Sequence, residues 1–171
     1  MKRLNIVLID AHDTGDWLGC YGRPYVESPW IDGIAEAGVR FTNNISACPI
    51  CGPSRLAFST GCLPHSLDVY GNAGYEPRGG CTPIARALGD AGYDTMLLGG
   101  WKTNGGPGWA GYIEALPEPG AAQAGAISVG APSSASPGKP TAEAADPAVA
   151  ALRRAVRKQS ENPLFAHVSF N

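Results

Sequence analysis

The chain has 171 residues, of which 44% are hydrophobic and 16% are charged. This length and composition suit one folded domain with a hydrophobic core, and they exclude a fibrous or fully disordered protein. With 13 basic and 15 acidic side chains the formal charge is −2. No overall positive field would attract nucleic acid or an anionic membrane, so we expect neither as a partner.

The N-terminus and the cysteines bear on the cellular location. The apolar run from Ile6 to Ile9 is too short for a signal peptide or a membrane span, which favours a cytoplasmic protein. The five cysteines are irregularly spaced and odd in number, which argues against a disulfide framework in such a chain. We therefore expect reduced thiols at Cys20, Cys48, Cys51, Cys62 and Cys81.

The first third of the chain alternates between strand and helix patterns. Residues 5–9 form a short run rich in β-branched side chains, which predicts a strand buried on both faces. Ser28 and Pro29 are typical of the start of a helix, which is predicted to end at Gly38. Residues 39–42 alternate as a strand does, and a second helix is predicted to begin close to Cys51.

The rest of the chain continues this alternation. Helices are predicted over 84–91 and from Asp146 to about Ser160, and strands over 94–98 and 164–170. The order predicts an α/β fold with a mostly parallel sheet flanked by helices. The region between Gly105 and Pro147 is interpreted as loop, with a flexible Ala, Gly, Ser and Pro-rich segment at about 118–145.

The chain ends on a predicted strand, at Asn171. Open α/β sheets bind ligands at the carboxyl ends of their strands, and the loop that would follow this strand is absent. We therefore expect residues 1–171 to be the N-terminal part of a longer, truncated catalytic domain.

The segment from Cys51 to Arg55 combines a nucleophile with a cation. A thiol just before Pro53 would lie near the N-terminus of a helix, where unpaired backbone N–H groups favour an anion. Arg55, about one turn further on, can bind a tetrahedral oxyanion through two N–H groups. The same pattern also fits a buried structural cysteine followed by a solvated arginine, and the local sequence leaves both interpretations open.

A resemblance to a known family favours the first interpretation. Cys51-x-Pro53-Ser54-Arg55, followed by Thr60-Gly61, resembles the signature of formylglycine-dependent sulfatases of the alkaline-phosphatase superfamily. The resemblance continues through ordered segments over about residues 4–102, including Leu18-Gly19-Cys20-Tyr21-Gly22 and Gly38-Val39-Arg40-Phe41-Thr42-Asn43. Such a set of ordered matches indicates the N-terminal portion of a sulfatase.

The resemblance implies a mechanism and partners. A formylglycine-generating enzyme oxidises the signature cysteine, and the hydrated aldehyde attacks the sulfur of a sulfate ester. By this resemblance Cys51 is the precursor of the nucleophile, and Arg55 steadies the hydrate and the charge of the metal site. The implied activity is that of a sulfuric ester hydrolase acting on a small sulfate ester or a glycan.

The family also implies a site for a divalent cation, which is expected to be Ca²⁺. This chain matches the family's ligands only in part. Two adjacent aspartates usually follow the first strand, whereas this chain has His12-Asp13. The implied metal ligands are Asp13, His12 and the modified Cys51. Since Ca²⁺ prefers oxygen, His12 would weaken its binding, favour a softer metal, or leave Asp10 or water to supply the oxygen.

Two cationic positions of the family are altered. Cys62 stands where the family usually has an arginine after Thr-Gly. The family's Gly-Lys-Trp-His pattern appears here as Gly99-Gly100-Trp101-Lys102. Lys102 would contact the sulfate from the position of that histidine. The equal alternative is that Lys102 is a solvated lysine in a loop. Further ligands of the family lie in the half that would follow Asn171.

Other features favour structural roles or other functions. Cys48 and Cys51 have redox-motif spacing, but the helix follows the second cysteine, not the first. His167, within an apolar strand, is interpreted as a core residue with satisfied hydrogen bonds. Alternative functions are a truncated or degenerate non-catalytic homologue, and a phosphodiester or phosphonate hydrolase of the same superfamily.

Overall fold

A computed structural model describes residues 3–72, 78, 80–99, 106–116, 142–157 and 160–170. The strands within these ranges form one sheet with the order β1-β4-β2-β3. Each neighbouring pair is parallel. The predicted α/β fold with a parallel sheet is confirmed. The strands are β1 (Ile6–Ala11), β2 (Asp94–Gly99), β3 (Glu114–Leu116) and β4 (Leu164–Phe170).

Helices cover both faces of this sheet. They are α1 (Pro29–Ala37), α2 (Cys51–Thr60), α3 (Ile84–Asp90), α4 (Gly106–Ala110) and α5 (Ala142–Arg157). Short 3₁₀ turns lie at Gly19–Tyr21 and Pro64–Leu67. No helix of the described ranges is long and apolar enough to cross a membrane.

The core is divided between the two faces. On one face, α5 packs through Ala151 against Met96 of β2 and Val168 of β4. The other face carries Leu97 and Phe165 in a cluster with residues of α3 and α4. Polar side chains of β1 and β4 meet α2 on this second face, so α2 reaches the sheet near the carboxyl ends of those strands.

Gly99 allows β2 and β4 to lie side by side at this end of the sheet. Its φ is +109°, and a Cβ atom there would lie 1.9 Å from the carbonyl oxygen of Ser169. Only glycine fits such a backbone position.

Several sequence predictions about elements are wrong. Residues 39–42 form no strand, because nothing in this part of the structure pairs with them. The strand predicted to be buried on both faces lies at the edge of the sheet that the described residues form, with Val7 51% and Ile9 60% exposed. An apolar run of this length does not reveal how many neighbours the strand has.

The region interpreted as loop contains regular structure. Helix α4 and strand β3 both lie within it, and α5 begins at Ala142, ahead of the predicted Asp146. Helix α4 has only five residues and β3 only three, which is too short for a periodic pattern to be recognised in the sequence. Residues 117–141, most of the segment predicted to be flexible, lie outside the described residues.

The expectation of reduced thiols throughout is also wrong, because Cys62 and Cys81 form a disulfide. Their Cα atoms are 6.6 Å apart. Cys62 follows the end of α2 and Cys81 precedes α3, and both pack against a cluster containing Leu56, Leu67 and Val69. The count and spacing of cysteines do not reveal that the fold brings these two ends together. Cys20, Cys48 and Cys51 are free thiols.

Candidate active site

The predicted helix start at Cys51 is confirmed. Cys51 is the first residue of α2, after Ile50 in an extended conformation, and the thiol-bearing residue is partly exposed. The helix ends at Thr60 and is capped by Gly61, whose left-handed conformation allows its N–H to bond the Ala57 carbonyl at 2.8 Å. Cys51 therefore lies at the positive end of the α2 dipole.

Asn72 contacts this turn and was missed by sequence reasoning. Its side-chain oxygen accepts the N–H of Gly52 at 2.8 Å and the thiol of Cys51 at 3.3 Å. The asparagine thus acts as a cap for α2, although it lies 21 residues beyond Cys51. Capping from such a distance leaves no local sequence signal, since the usual cap residue directly precedes the helix.

Arg55 points its guanidinium to the sheet. The Nη1 group donates to Asp10 Oδ2 at 2.5 Å and to Ser169 Oγ at 2.6 Å. The side chains of Arg55 and Asp10 are only 8% and 18% exposed. This part of the arginine is therefore engaged in a buried ion pair, and the solvated arginine of the structural alternative is not observed.

His167 and Tyr112 extend the polar contacts behind Asp10. His167 Nε2 lies 2.6 Å from Asp10 Oδ1, and its Nδ1 lies 2.7 Å from the Tyr112 hydroxyl. The residue is 1% exposed. The prediction that His167 is a satisfied core residue is confirmed. Burial, and secondarily the negative charge of Asp10, raise the pKa of Tyr112 well above its ordinary value, so this hydroxyl stays protonated at neutral pH.

His12 and Asp13 lie directly beyond β1. The backbone N–H of His12 bonds the carbonyl of Phe170 at 3.0 Å, and its Nδ1 lies 3.0 Å from Asp13 Oδ2. Asp13 is in the left-handed region with φ 53°, and its side chain is 85% exposed. The two proposed ligands are thus adjacent at the carboxyl edge of the sheet, with the carboxylate open to solvent.

These residues do not make a calcium site by themselves. Calcium takes about six to eight oxygen ligands, and no group of three or more His, Cys, Asp or Glu in the described part of the chain could hold a metal ion. Asp10 is a poor substitute ligand, because both of its carboxylate oxygens are already engaged. One oxygen contacts His167 Nε2, and the other accepts hydrogen bonds from Arg55 and Ser169.

Two further features concern the surroundings of Cys51. Lys102 lies outside the described residues, so its predicted contact with sulfate stays a prediction. A cavity of about 940 Å³ lies beside α2, lined in part by Ser54, Phe58 and Ile45. Cys51 does not line it, so this cavity is a neighbour of the candidate site and not its pocket.

The fold and the Cys51 helix define an alkaline-phosphatase-like α/β domain, and the family comparison agrees. Residues 4–171 match the family described as Sulfatase. The chain belongs to the sulfatase family.

Curated relatives carry sulfatase names and are much longer. Human arylsulfatase D is 43% identical over 109 residues, which are 57% of this chain and 18% of that protein. Human arylsulfatase A is 40% identical over 109 residues, covering 60% of this chain and 22% of the relative. Human steryl-sulfatase is 37% identical over 111 residues, which are 58% of this chain and 19% of that protein. The chain thus spans about a fifth of the length of these relatives.

Solved structures share the fold over nearly the whole chain. The phosphonate monoester hydrolase of Agrobacterium radiobacter has a TM-score of 0.71 at 25% identity, covering 98% of this chain and 40% of that one. A structure in complex with its substrate D-glucosamine-2-N,6-O-disulfate has a TM-score of 0.76 at 24% identity, covering 99% and 34%. The second likeness concerns the fold alone.

Proposed function

We propose that this chain carries the nucleophile of a sulfuric ester hydrolase, with Cys51 as the precursor of a catalytic formylglycine. The observation that supports it is the position of Cys51 in the first turn of α2, beside Asn72 and one turn before Arg55. Membership of the sulfatase family and the names of the relatives agree with this chemistry. The substrate would be a sulfate ester of a small molecule or a glycan.

The chemistry of residue 51 follows from this placement. A formylglycine-generating enzyme, with dioxygen as the oxidant, would convert the –CH₂SH group of Cys51 into an aldehyde and release the sulfur as sulfide; the aldehyde then adds water to give two hydroxyls. One hydroxyl would attack sulfur and displace the alcohol, and the other would lose its proton as the C–O bond to sulfate breaks and the aldehyde forms again. The oxygen of Asn72, which accepts the thiol here, would be an acceptor for a hydroxyl of the hydrate.

Anion binding would use the helix terminus. The positive end of the α2 dipole favours a negative charge at residue 51. The exposed carboxylate of Asp13 is the described side chain best suited to contribute to a divalent cation, with His12 as its neighbour. When bound, such a cation would polarise the sulfate oxygens. Calorimetric titration of Ca²⁺ and Zn²⁺ into the protein and its Asp13→Asn variant would test this part separately.

Mass spectrometry tests the central claim. Trypsin cleaves after Arg40 and Arg55, so the peptide 41–55 contains both Cys51 and Cys48. After coexpression with a formylglycine-generating enzyme we expect the mass change from thiol to aldehyde at Cys51, with Cys48 unchanged as the internal control. The Cys51→Ala variant should keep the fold and lose aryl sulfate hydrolysis. A fully unmodified Cys51 together with no hydrolysis would contradict the proposal.

A phosphonate or phosphodiester substrate is the second candidate. The likeness to a phosphonate monoester hydrolase, at a TM-score of 0.71 and 25% identity, favours it. Parallel assays with an aryl sulfate, an aryl phosphonate and an aryl phosphodiester would rank the substrates by kcat/KM. Hydrolysis of none of them, with Cys51 unmodified, would support a non-catalytic homologue.

A further inference from the structure

A chain of buried polar contacts links the sheet to the helix that carries Cys51. It runs from Tyr112 through His167 to Asp10, and from Asp10 to Arg55 on α2. The four side chains come from different parts of the fold, with Asp10 on β1, His167 on β4, and Tyr112 just before β3. Such a network is retained only where its members satisfy one another, because an unpaired buried polar group is costly.

These groups are too enclosed to touch a substrate. His167 is 1% exposed and Tyr112 is 8% exposed. The face of the His167 ring is further covered by Phe58 of α2, at 5.8 Å between ring centroids. Any influence of the network on chemistry must therefore pass through Arg55 and the helix.

The geometry of α2 supplies that connection. Residues 51 and 55 are separated by four positions, so their side chains lie on the same side of the helix. Arg55 is fixed to Asp10 and Ser169, which restricts rotation of α2 about its own axis. Asp10 and Ser169 are register partners on β1 and β4, so the anchor is the rigid sheet.

We propose that Asp10 is a positioning residue of this site: held by His167 and Tyr112, it anchors Arg55 and so sets the direction in which α2 presents residue 51. The catalytic part of this inference rests on the proposed sulfatase function. The structural part concerns only the described side chains.

The network also fixes the orientation of the His167 ring. Its Nδ1 faces the Tyr112 hydroxyl at 2.7 Å, and its Nε2 faces Asp10 Oδ1 at 2.6 Å. The Asp10 carboxylate thereby meets the imidazole on one oxygen and the Arg55 guanidinium on the other.

The test compares three variants with matched controls. Asp10→Asn keeps the shape and removes the charge, His167→Gln breaks the link behind it, and Tyr112→Phe removes one hydroxyl. Asp90→Asn and Tyr25→Phe make the same chemical changes at exposed positions. For each protein, the rate of alkylation of Cys51 by iodoacetamide is measured by peptide mass spectrometry relative to Cys20, another partly exposed free thiol.

We expect the Cys51 to Cys20 rate ratio to change several-fold in Asp10→Asn, less in His167→Gln and least in Tyr112→Phe, with both controls unchanged. For the formylglycine form, kcat should fall on the order of 10- to 100-fold in Asp10→Asn, as misplacement of a reacting group does, with little change in KM. A role in stability alone would lower Tm and leave the rate ratio as in the wild type.

Folded Asp10→Asn and Tyr112→Phe proteins with the wild-type ratio would overturn the proposal. If Asp10→Asn does not fold, Tyr112→Phe decides, since a changed ratio supports the proposal and an unchanged one contradicts it. The alkylation ratio needs no turnover. A wild-type protein that is never converted at Cys51 therefore refutes the proposed function and leaves this test intact.

Discussion

The side-chain oxygen of Asn72 receives two hydrogen bonds from the start of α2, one from the Gly52 N–H at 2.8 Å and one from the Cys51 thiol at 3.3 Å. One exposed amide thus serves the helix and the candidate nucleophile at once. The two roles can be separated by substitution.

Asn72→Ala removes both bonds and should cost about 0.5–2 kcal/mol of stability, as loss of a helix cap does. Asn72→Asp keeps an acceptor and places a negative charge at the positive helix end, so its stability should match or exceed that of the wild type. The same charge would repel sulfate, and we expect weaker inhibition by inorganic sulfate. Urea unfolding and inhibition assays of both variants check this. Equal sulfate inhibition in Asn72→Asp and the wild type would contradict an anion site at this turn.

The Asp10–Arg55 pair should be important for stability because both charges are largely buried. Arg55→Met leaves the Asp10 carboxylate without its cation, and we expect a loss of about 3–5 kcal/mol. Replacing both partners, in the double variant Asp10→Leu and Arg55→Met, should recover part of that loss. Chemical denaturation of the two single variants and the double variant measures the coupling. Additive losses would show that the pair is not coupled.

The buried Tyr112 should make the protein less stable as the pH becomes alkaline. Its pKa is raised in the folded state, first by burial and then by Asp10, so the folded protein favours the protonated phenol. The resulting stabilisation is complete below the unfolded-state pKa of about 10 and is lost as the pH rises above it. We therefore expect the advantage of the wild type over Tyr112→Phe, measured by urea unfolding, to shrink above that pH. A difference that stays constant across this range would contradict the raised pKa.

The disulfide between Cys62 and Cys81 closes a loop with a sequence separation of 19. In the chain-entropy description, a loop of this size contributes about 3 kcal/mol by restricting the unfolded chain. Reduction, or Cys62→Ser, should therefore lower Tm, and Cys48→Ser is the matched control. Because Asn72 lies between the two cysteines, a lowered turnover of the reduced protein is also expected. An unchanged Tm after verified reduction would contradict a structural role.

The sequence predicted the parts of the fold that depend on local patterns. Helix α1, the start of α2 at Cys51, and strands β2 and β4 follow from capping residues and apolar runs close to those elements. The satisfied state of His167 could also be predicted, since an apolar strand of this kind is buried. Membership of the sulfatase family follows from ordered motifs over much of the chain.

The rest depends on contacts between distant residues. Asn72 meets Cys51 across 21 positions, Arg55 meets Asp10 across 45, and His167 meets Asp10 across 157. No periodicity or spacing rule connects residues so far apart without knowledge of the topology. The disulfide escaped prediction for the same reason. The catalytic roles of Cys51, Arg55 and Lys102 and the metal-binding roles of His12, Asp13 and Cys51 stay predictions.

The position of β1 at the edge of the sheet has a colloidal consequence. Within the described ranges, one side of this strand has no neighbouring strand, and Val7 and Ile9 are largely exposed on one of its faces. An edge with free backbone groups and apolar side chains favours pairing between molecules, and natural proteins suppress this with charged residues. We expect the 171-residue chain to self-associate through β1 as its concentration rises, and light scattering should show less association for Val7→Lys than for Tyr25→Lys.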